Sequence, residues 1–152
     1  MKTIGVVHLK ALPGSPSYSS NLSEIYKSAI EDSLALENGG VDSIIIENFG
    51  DIPFVKNSIS KLTFAHFSNI AKEISNSLNI DIGINVLRND GESALSIADS
   101  INASFVRINI LSGTMYTDQG IIEGEANKLI KLKNSLSNNI EIYADVFVKH
   151  AV

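Results

Sequence analysis

The sequence contains no cysteine, and it has only three prolines among its 152 residues. The lack of cysteine excludes disulfide bonds, thiolate catalysis and zinc sites with cysteine ligands. No apolar run approaches the roughly 18 residues that a membrane span needs, and a strand-like segment follows directly after residues 1–3. We therefore expect neither a signal peptide nor a transmembrane segment, and we expect a cytoplasmic location.

Positive charge is also scarce, since 12 lysines and arginines stand against 17 aspartates and glutamates, for a net charge of −5. Such a chain repels nucleic-acid phosphates and anionic lipid, so nucleic acid is not an expected partner. Neither a G-x-G-x-x-G nor a Walker A sequence is present, and we expect no nucleotide or other cofactor. The composition, 44% hydrophobic and 19% charged, is typical of a soluble α/β protein, and the length predicts one domain over residues 1–152.

Five short apolar runs begin near residues 4, 41, 81, 104 and 140, and helical patterns fill the four gaps between them. Asn21 and Glu24 predict an N-terminal cap for the first helix, and Gly39 with Gly40 predicts its end. Strands that are separated by helices run parallel, so the polar residues that follow each run gather at one edge of the sheet. That edge is where α/β proteins place their sites.

Two architectures fit this order of elements. A five-stranded flavodoxin-like sheet suits the length, whereas a (β/α)₈ barrel typically needs about 250 residues and would here end after its fifth strand. The strands themselves favour the N-terminal (βα)₄β₅ portion of a TIM-type barrel, because one face of each is apolar and the other is mixed. In the fifth strand this phase places Ile142 and Val146 against helices and Asp145 in the lumen. The two edge strands would be unpaired, so we expect the chain to self-associate.

Five segments carry a resemblance to a known family: GVVHLKALPGSP (5–16), GVDSIIIENFGDIPF (40–54), GINVLRND (83–90), TDQGIIEG (117–124) and ADVFVKH (144–150). They occur in family order over nearly the whole chain, which resembles the BtpA/SgcQ family. The resemblance implies a TIM-type barrel related to the ribulose-phosphate-binding barrels, here reaching only its midpoint. It also implies a role in photosystem I biogenesis, with peripheral membrane association, or in sugar metabolism, with no firmly assigned reaction.

Only two residues are arginines, Arg88 and Arg107, and both fall at the C-terminal ends of predicted strands. The planar guanidinium fork suits carboxylate or phosphate in a way that lysine cannot match. Together with Lys10 they predict a site for a small anion. The alternative is structural ion pairing with carboxylates of a polar lumen, with three candidates: Glu47, Asp90 and Asp145.

Acid and base groups lie in the same phase of the strands. Glu47 and Asp145 occupy lumen-facing positions in the second and fifth strands, and His8 ends the first, so all three are candidates for proton transfer. The two carboxylates could equally be counter-ions of the arginines. No spacing among the three demands a metal ion, and we predict no metal site.

Amide and lysine side chains complete the predicted site. Asn85 and Asn109 can orient a hydroxylated ligand by hydrogen bonds, and Lys149 follows the fifth strand beside His150. The function that we expect is binding of a small anionic, sugar-phosphate-like ligand at the strand ends. The alternatives are an assembly or stabilising factor for a membrane complex, or a non-catalytic half barrel, and the residues alone leave open whether the chain is an enzyme.

Overall fold

The computed structural model describes residues 1–19 and 21–147. Strands and helices alternate along most of this range, as the apolar pattern predicts. The elements are β1 (Ile4–His8), α1 (Leu22–Asn38), β2 (Ser43–Glu47), α2 (Lys61–Ser77), β3 (Asp81–Asn85), α3 (Gly91–Ile101), β4 (Phe105–Ile108), β5 (Thr114–Thr117), β6 (Gly120–Glu123), α4 (Ala126–Lys133) and β7 (Glu141–Ala144).

Five strands form one parallel sheet in the order β1-β2-β3-β4-β7. The α/β class and the parallel sheet are therefore confirmed. Each new strand is added beside the preceding one of the sheet, whereas a flavodoxin-like fold has the order 2-1-3-4-5. The flavodoxin-like alternative is wrong for this reason. Strands β1 and β7 are the two edges of the sheet.

One phase of the strands packs against the helices. In the middle of the sheet the buried residues of this phase are Ile44, Ile46, Ile82, Ile84, Val106 and Ile108, which belong to the cluster that the helices complete. Because side chains alternate along a strand, Glu47, Asn85 and Arg107 lie on the opposite face. Glu47 is the register partner of Asn85, and the phase predicted for β2, β3 and β4 is confirmed.

Helix α1 begins at the predicted cap. The Asn21 side chain accepts a hydrogen bond from the backbone N–H of Glu24 at 2.8 Å, and the helix ends at Asn38, directly before Gly39. This bond satisfies one of the N–H groups that a helix leaves unpaired in its first turn. Within the described range, none of the helices combines the length and hydrophobicity that a bilayer crossing requires.

Two features of the C-terminal third differ from the prediction. An antiparallel hairpin, β5 with β6, stands between β4 and α4, where the apolar pattern predicts no strand. Strand β7 ends at Ala144, so Val146 lies beyond the sheet and is 81% exposed, and its predicted packing against helices is wrong. Ile142 does pack against the main apolar cluster. Lys149 and His150 lie outside the described residues.

Candidate functional site

A cavity of about 580 Å³ opens at the carboxyl ends of the strands. Strands β1, β2 and β4 contribute residues to its lining. The remaining lining residues lie in the segments that follow β2, β3, β4 and β7 and in the turn of the β5–β6 hairpin. Six of the residues singled out in the sequence line it: His8, Glu47, Arg88, Arg107, Asn109 and Asp145. Parallel topology thus brings together side chains that are up to 137 positions apart, from His8 to Asp145.

A second cavity, of about 710 Å³, lies between the loop before α2 and the start of α4. Its lining includes polar residues such as Lys56, Asn57 and Glu125, and Asp90 among the candidate counter-ions, but none of the predicted catalytic or ligand-binding residues. The cavity of about 710 Å³ is therefore separate from the predicted acid, base and arginine residues. The strand-end cavity of about 580 Å³ is the candidate site because it contains them.

Arg107 is the centre of an ion-pair network. Its Nε and Nη2 donate to the two carboxylate oxygens of Asp145 at 2.8 and 3.0 Å, and its Nη1 donates to Glu47 Oε1 at 2.9 Å. Hydrogen bonding to Asp145 raises the pKa of Arg107, and Glu47 adds to the effect. Two carboxylates therefore neutralise this guanidinium, in agreement with the structural alternative for Arg107.

The two predicted asparagines brace this network. Asn109 donates from Nδ2 to Asp145 Oδ2 at 2.9 Å, while Asn85 donates to the Arg107 backbone oxygen at 2.8 Å and to Asn109 Oδ1 at 3.1 Å. Asn85 is buried and does not line the cavity, whereas Asn109 does. The amide of Asn109 thus reaches both the cavity and the carboxylate of Asp145.

Arg88 has a different environment. It is only 7% exposed, and within residues 1–19 and 21–147 no carboxylate oxygen lies within ion-pair distance of it. Its Nε donates to Gln119 Oε1 at 3.2 Å, and its guanidinium carbon lies 5.0 Å from the ring centroid of Phe54. The charge of Arg88 is therefore held by an amide and an aromatic face, without a counter-ion in the described chain.

An aromatic wall joins His8 to Arg88. The His8 ring stacks on Phe49 with centroids 4.3 Å apart, and Phe49 meets Phe54 edge-on at 6.2 Å. His8 Nε2 also lies 3.5 Å from Glu47 Oε2. Glu47 therefore contacts Arg107 through one oxygen and approaches the half-exposed imidazole with the other.

Lys10 does not line the strand-end cavity. Its Nζ forms an ion pair with Glu24 Oε1 in the first turn of α1, and this hydrogen bond lowers the pKa of Glu24. The structure therefore separates Lys10 from the two arginines. Lys149 lies outside the described residues, so its predicted part in ligand binding stays a prediction.

A buried hydrogen-bond relay holds the loops beneath the site. Asn48 accepts from the backbone N–H of Leu87 at 2.7 Å and donates to Asp51 at 2.9 Å, and Asp51 accepts from the backbone N–H of Leu12 at 2.8 Å. Burial raises the pKa of Asp51, against the opposing effect of these hydrogen bonds. The relay connects the segments that follow β1, β2 and β3. It holds the backbone of Leu87, and so it positions the next residue, Arg88.

The sequence reasoning missed Gln119, Asp118 and the aromatic wall as parts of the site. Gln119 and Asp118 form the two-residue turn of the hairpin, between the paired residues Thr117 and Gly120. The sequence signal for this turn is Gly120, which follows Asp118 and Gln119. In the structure Gly120 has a φ of +94°, a conformation that favours glycine. No group of three His, Asp or Glu side chains is arranged to hold a metal ion among the residues described.

Comparison with known proteins identifies the family. The model of the BtpA family matches residues 1–152, and the chain belongs to that family. It is 52% identical over 97% of its length to an uncharacterized protein of Pyrococcus abyssi, and 48% identical over 98% to one of Thermococcus kodakarensis; the matches cover 57% of each relative. A Synechocystis protein named photosystem I biogenesis protein BtpA is 46% identical over 97% of the chain and 52% of that relative. The chain spans little more than half the length of these curated relatives.

Proposed function

We propose that the chain forms the first half of a TIM-type barrel and binds a small anionic ligand in its strand-end cavity, with Arg88 as the anion-binding group. The parallel sheet with consecutive strand order and unpaired edges supports the half barrel, since closure of such a wall needs further strands. Barrels of this type carry their sites at the carboxyl ends of the strands, where the cavity lies.

One observation carries the proposal for Arg88. Arg88 is nearly buried and has no carboxylate partner in residues 1–19 and 21–147, so its charge is uncompensated there. Removal of such a charge from water costs several kcal/mol. An anionic ligand would supply the missing counter-charge. Arg107 has no such need, because Asp145 and Glu47 already contact it.

The groups around Arg88 favour a hydroxylated ligand. Glu47, Asp145 and Asn109 present oxygen and amide groups in the same cavity, and these can accept or donate hydrogen bonds to sugar-like hydroxyls. His8 and Glu47 are 3.5 Å apart at the cavity and form the candidate pair for proton transfer. In this proposal Asp145 positions Arg107 and does not itself transfer a proton.

Thermal melting with and without anions tests this function. Phosphate and a sugar phosphate at about tenfold excess over the dissociation constant should raise the melting temperature of the wild type by about 3–6 °C, at constant ionic strength. Arg88→Gln should abolish the shift, whereas the matched control Lys10→Gln removes a positive charge outside the cavity and should keep it. A shift that survives in Arg88→Gln, or a wild type indifferent to every anion, would refute the proposal.

A second candidate function comes from the Synechocystis relative, whose name describes a photosystem I biogenesis protein. By analogy, the chain would stabilise or assemble a membrane complex without catalysis. This role needs an exposed protein-binding surface and does not need a free charge at Arg88. If the wild type and Arg88→Gln, each used as bait, both retained a membrane complex in affinity purification, the result would favour this second function.

A further inference from the structure

The charges around the cavity limit which anion suits Arg88. Among residues 1–19 and 21–147, three carboxylates line it, from Glu47, Asp118 and Asp145, against two guanidinium groups, from Arg88 and Arg107. With His8 neutral, these side chains sum to one negative charge. The described lining therefore offers Arg88 as an unpaired cation among side chains of net negative charge, and each additional negative charge on a ligand meets net repulsion from them.

Gln119 limits the geometry of the contact. A guanidinium can bind a two-oxygen anion along its Nε–Nη2 edge or end-on through Nη1 and Nη2. The Nε–H of Arg88 is already donated to Gln119 Oε1 at 3.2 Å. Phe54 lies over the guanidinium at 5.0 Å. Within the described part of the chain, the edge that remains for a ligand is the end-on pair of Nη groups, which can bind two oxygens of a carboxylate or of a phosphate.

We infer that the ligand is a hydroxylated carboxylic acid with a single negative charge, such as a sugar acid, and that phosphate esters are the weaker class. This inference rests on the proposed binding of an anion at Arg88 and specifies its chemistry. A phosphate monoester carries close to two negative charges above about pH 7. A carboxylate carries one negative charge, so it meets less repulsion from Glu47, Asp118 and Asp145 when it binds the end-on fork.

The rest of the cavity fits the body of such an acid. Glu47 Oε2 lies 3.5 Å from His8 Nε2 and can accept a hydrogen bond from a ligand hydroxyl. Phe49 and Phe54 present aromatic surface on which the C–H face of a polyol can pack. The volume of about 580 Å³ lies within the range of small-molecule sites.

Three probes with the same six-carbon polyol body separate the classes: gluconate, sorbitol 6-phosphate and uncharged sorbitol. Calorimetric titration of the wild-type chain at constant ionic strength should show gluconate bound about fivefold more tightly than sorbitol 6-phosphate, the ratio expected from one extra repelled charge. Sorbitol should show no measurable binding. Arg88→Gln should lose both anions.

Two variants of the hairpin turn test the cause. Asp118→Asn removes one negative charge from the lining and should reduce the fivefold preference for gluconate. Gln119→Glu places a carboxylate beside Arg88 Nε and should abolish binding of both anions, because it supplies the counter-charge within the chain. Circular dichroism of both variants checks that the fold is retained.

The outcomes distinguish the inference from the proposed function. Sorbitol 6-phosphate bound as tightly as gluconate, or more tightly, with loss of both in Arg88→Gln, would overturn the carboxylate preference and leave the anion site in place. An unchanged preference in Asp118→Asn would overturn the charge argument. Absence of binding by both anions would refute the anion site and the inference together.

Discussion

Arg107 and Asp145 form a two-pronged ion pair, with Nε 2.8 Å from Oδ1 and Nη2 3.0 Å from Oδ2. The planar fork of the guanidinium matches the carboxylate in this arrangement, which is the strongest geometry for an arginine pair. A third hydrogen bond from Arg107 reaches Glu47. The two arginines of the chain thus have different environments, since Arg107 is neutralised and Arg88 has no counter-ion among the described residues.

The first prediction concerns the stability that this network provides. Arg107→Gln should lower the free energy of unfolding by about 1–3 kcal/mol, less than the loss from a fully buried pair, because 37% of the Arg107 side chain is exposed. The cost arises because Glu47 and Asp145 lose their counter-ion. Urea unfolding measures it. A double-mutant cycle with Glu47→Gln should show coupling between the two sites, and additive losses would contradict the network.

A second prediction follows from the buried carboxyl of Asp51. Its pKa is raised by burial, so the folded state binds a proton at a higher pH than the unfolded state does. As the pH falls from about 7 towards 4, the wild type should gain stability relative to Asp51→Asn, because the cost of the ionised form disappears. Urea unfolding of both proteins across this range measures the difference. A change in the opposite direction would mean that the bonds from Leu12 and Asn48 outweigh burial.

The third prediction tests the close approach of two loops. A Cβ on Gly50 would lie 2.4 Å from the Ala11 nitrogen and 2.6 Å from the Lys10 carbonyl carbon, and these are backbone atoms that a side-chain rotation cannot move. Gly50→Ala should cost at least about 2 kcal/mol. The control Gly40→Ala has a positive φ of +84° but open space, so it should cost about 1 kcal/mol from backbone strain alone. Equal losses in the two variants would contradict the clash.

The sheet and its phase could be predicted from the sequence because both depend on local pattern. Alternation in β2 separates Ile44 and Ile46 from Glu47, and parallel topology then brings Glu47 to the same edge as Arg107. The hairpin could not be predicted in this way, since β5 and β6 have four residues each and their mixed sequence, of which only Ile122 is buried, shows no strong period.

The different environments of the two arginines could not be predicted either. Arg88 follows an apolar run and Arg107 lies within strand β4, and these positions give no information about which guanidinium meets a carboxylate. The partner of each guanidinium depends on which strand lies beside it in the sheet. Strand β4 pairs with β7, and Asp145, which follows β7, therefore contacts Arg107. The hairpin turn in turn delivers the neutral Gln119 to Arg88. Such contacts are set by tertiary packing rather than by local sequence.

The fourth prediction concerns the edges of the sheet. Strands β1 and β7 have no partner on one side within the described chain, and Val6 of β1 is an exposed apolar residue. Unpaired edges promote association, so the wild type should form dimers or larger species at about 100 µM in sedimentation velocity. Val6→Lys should weaken this association, whereas the control Leu62→Lys changes an exposed residue of helix α2 and should not. A monomeric wild type at that concentration would contradict the half barrel.

The central claim is that Arg88, and not Arg107, binds the anion. Because the chain has only two arginines, a nitrogen–proton NMR spectrum of the arginine Nε groups contains two side-chain signals, and Arg88→Lys assigns them. Addition of gluconate should shift the Arg88 signal in a saturable manner and leave the Arg107 signal, held by Asp145, nearly unchanged. A saturable shift of Arg107 alone, or no shift of either signal, would contradict the account.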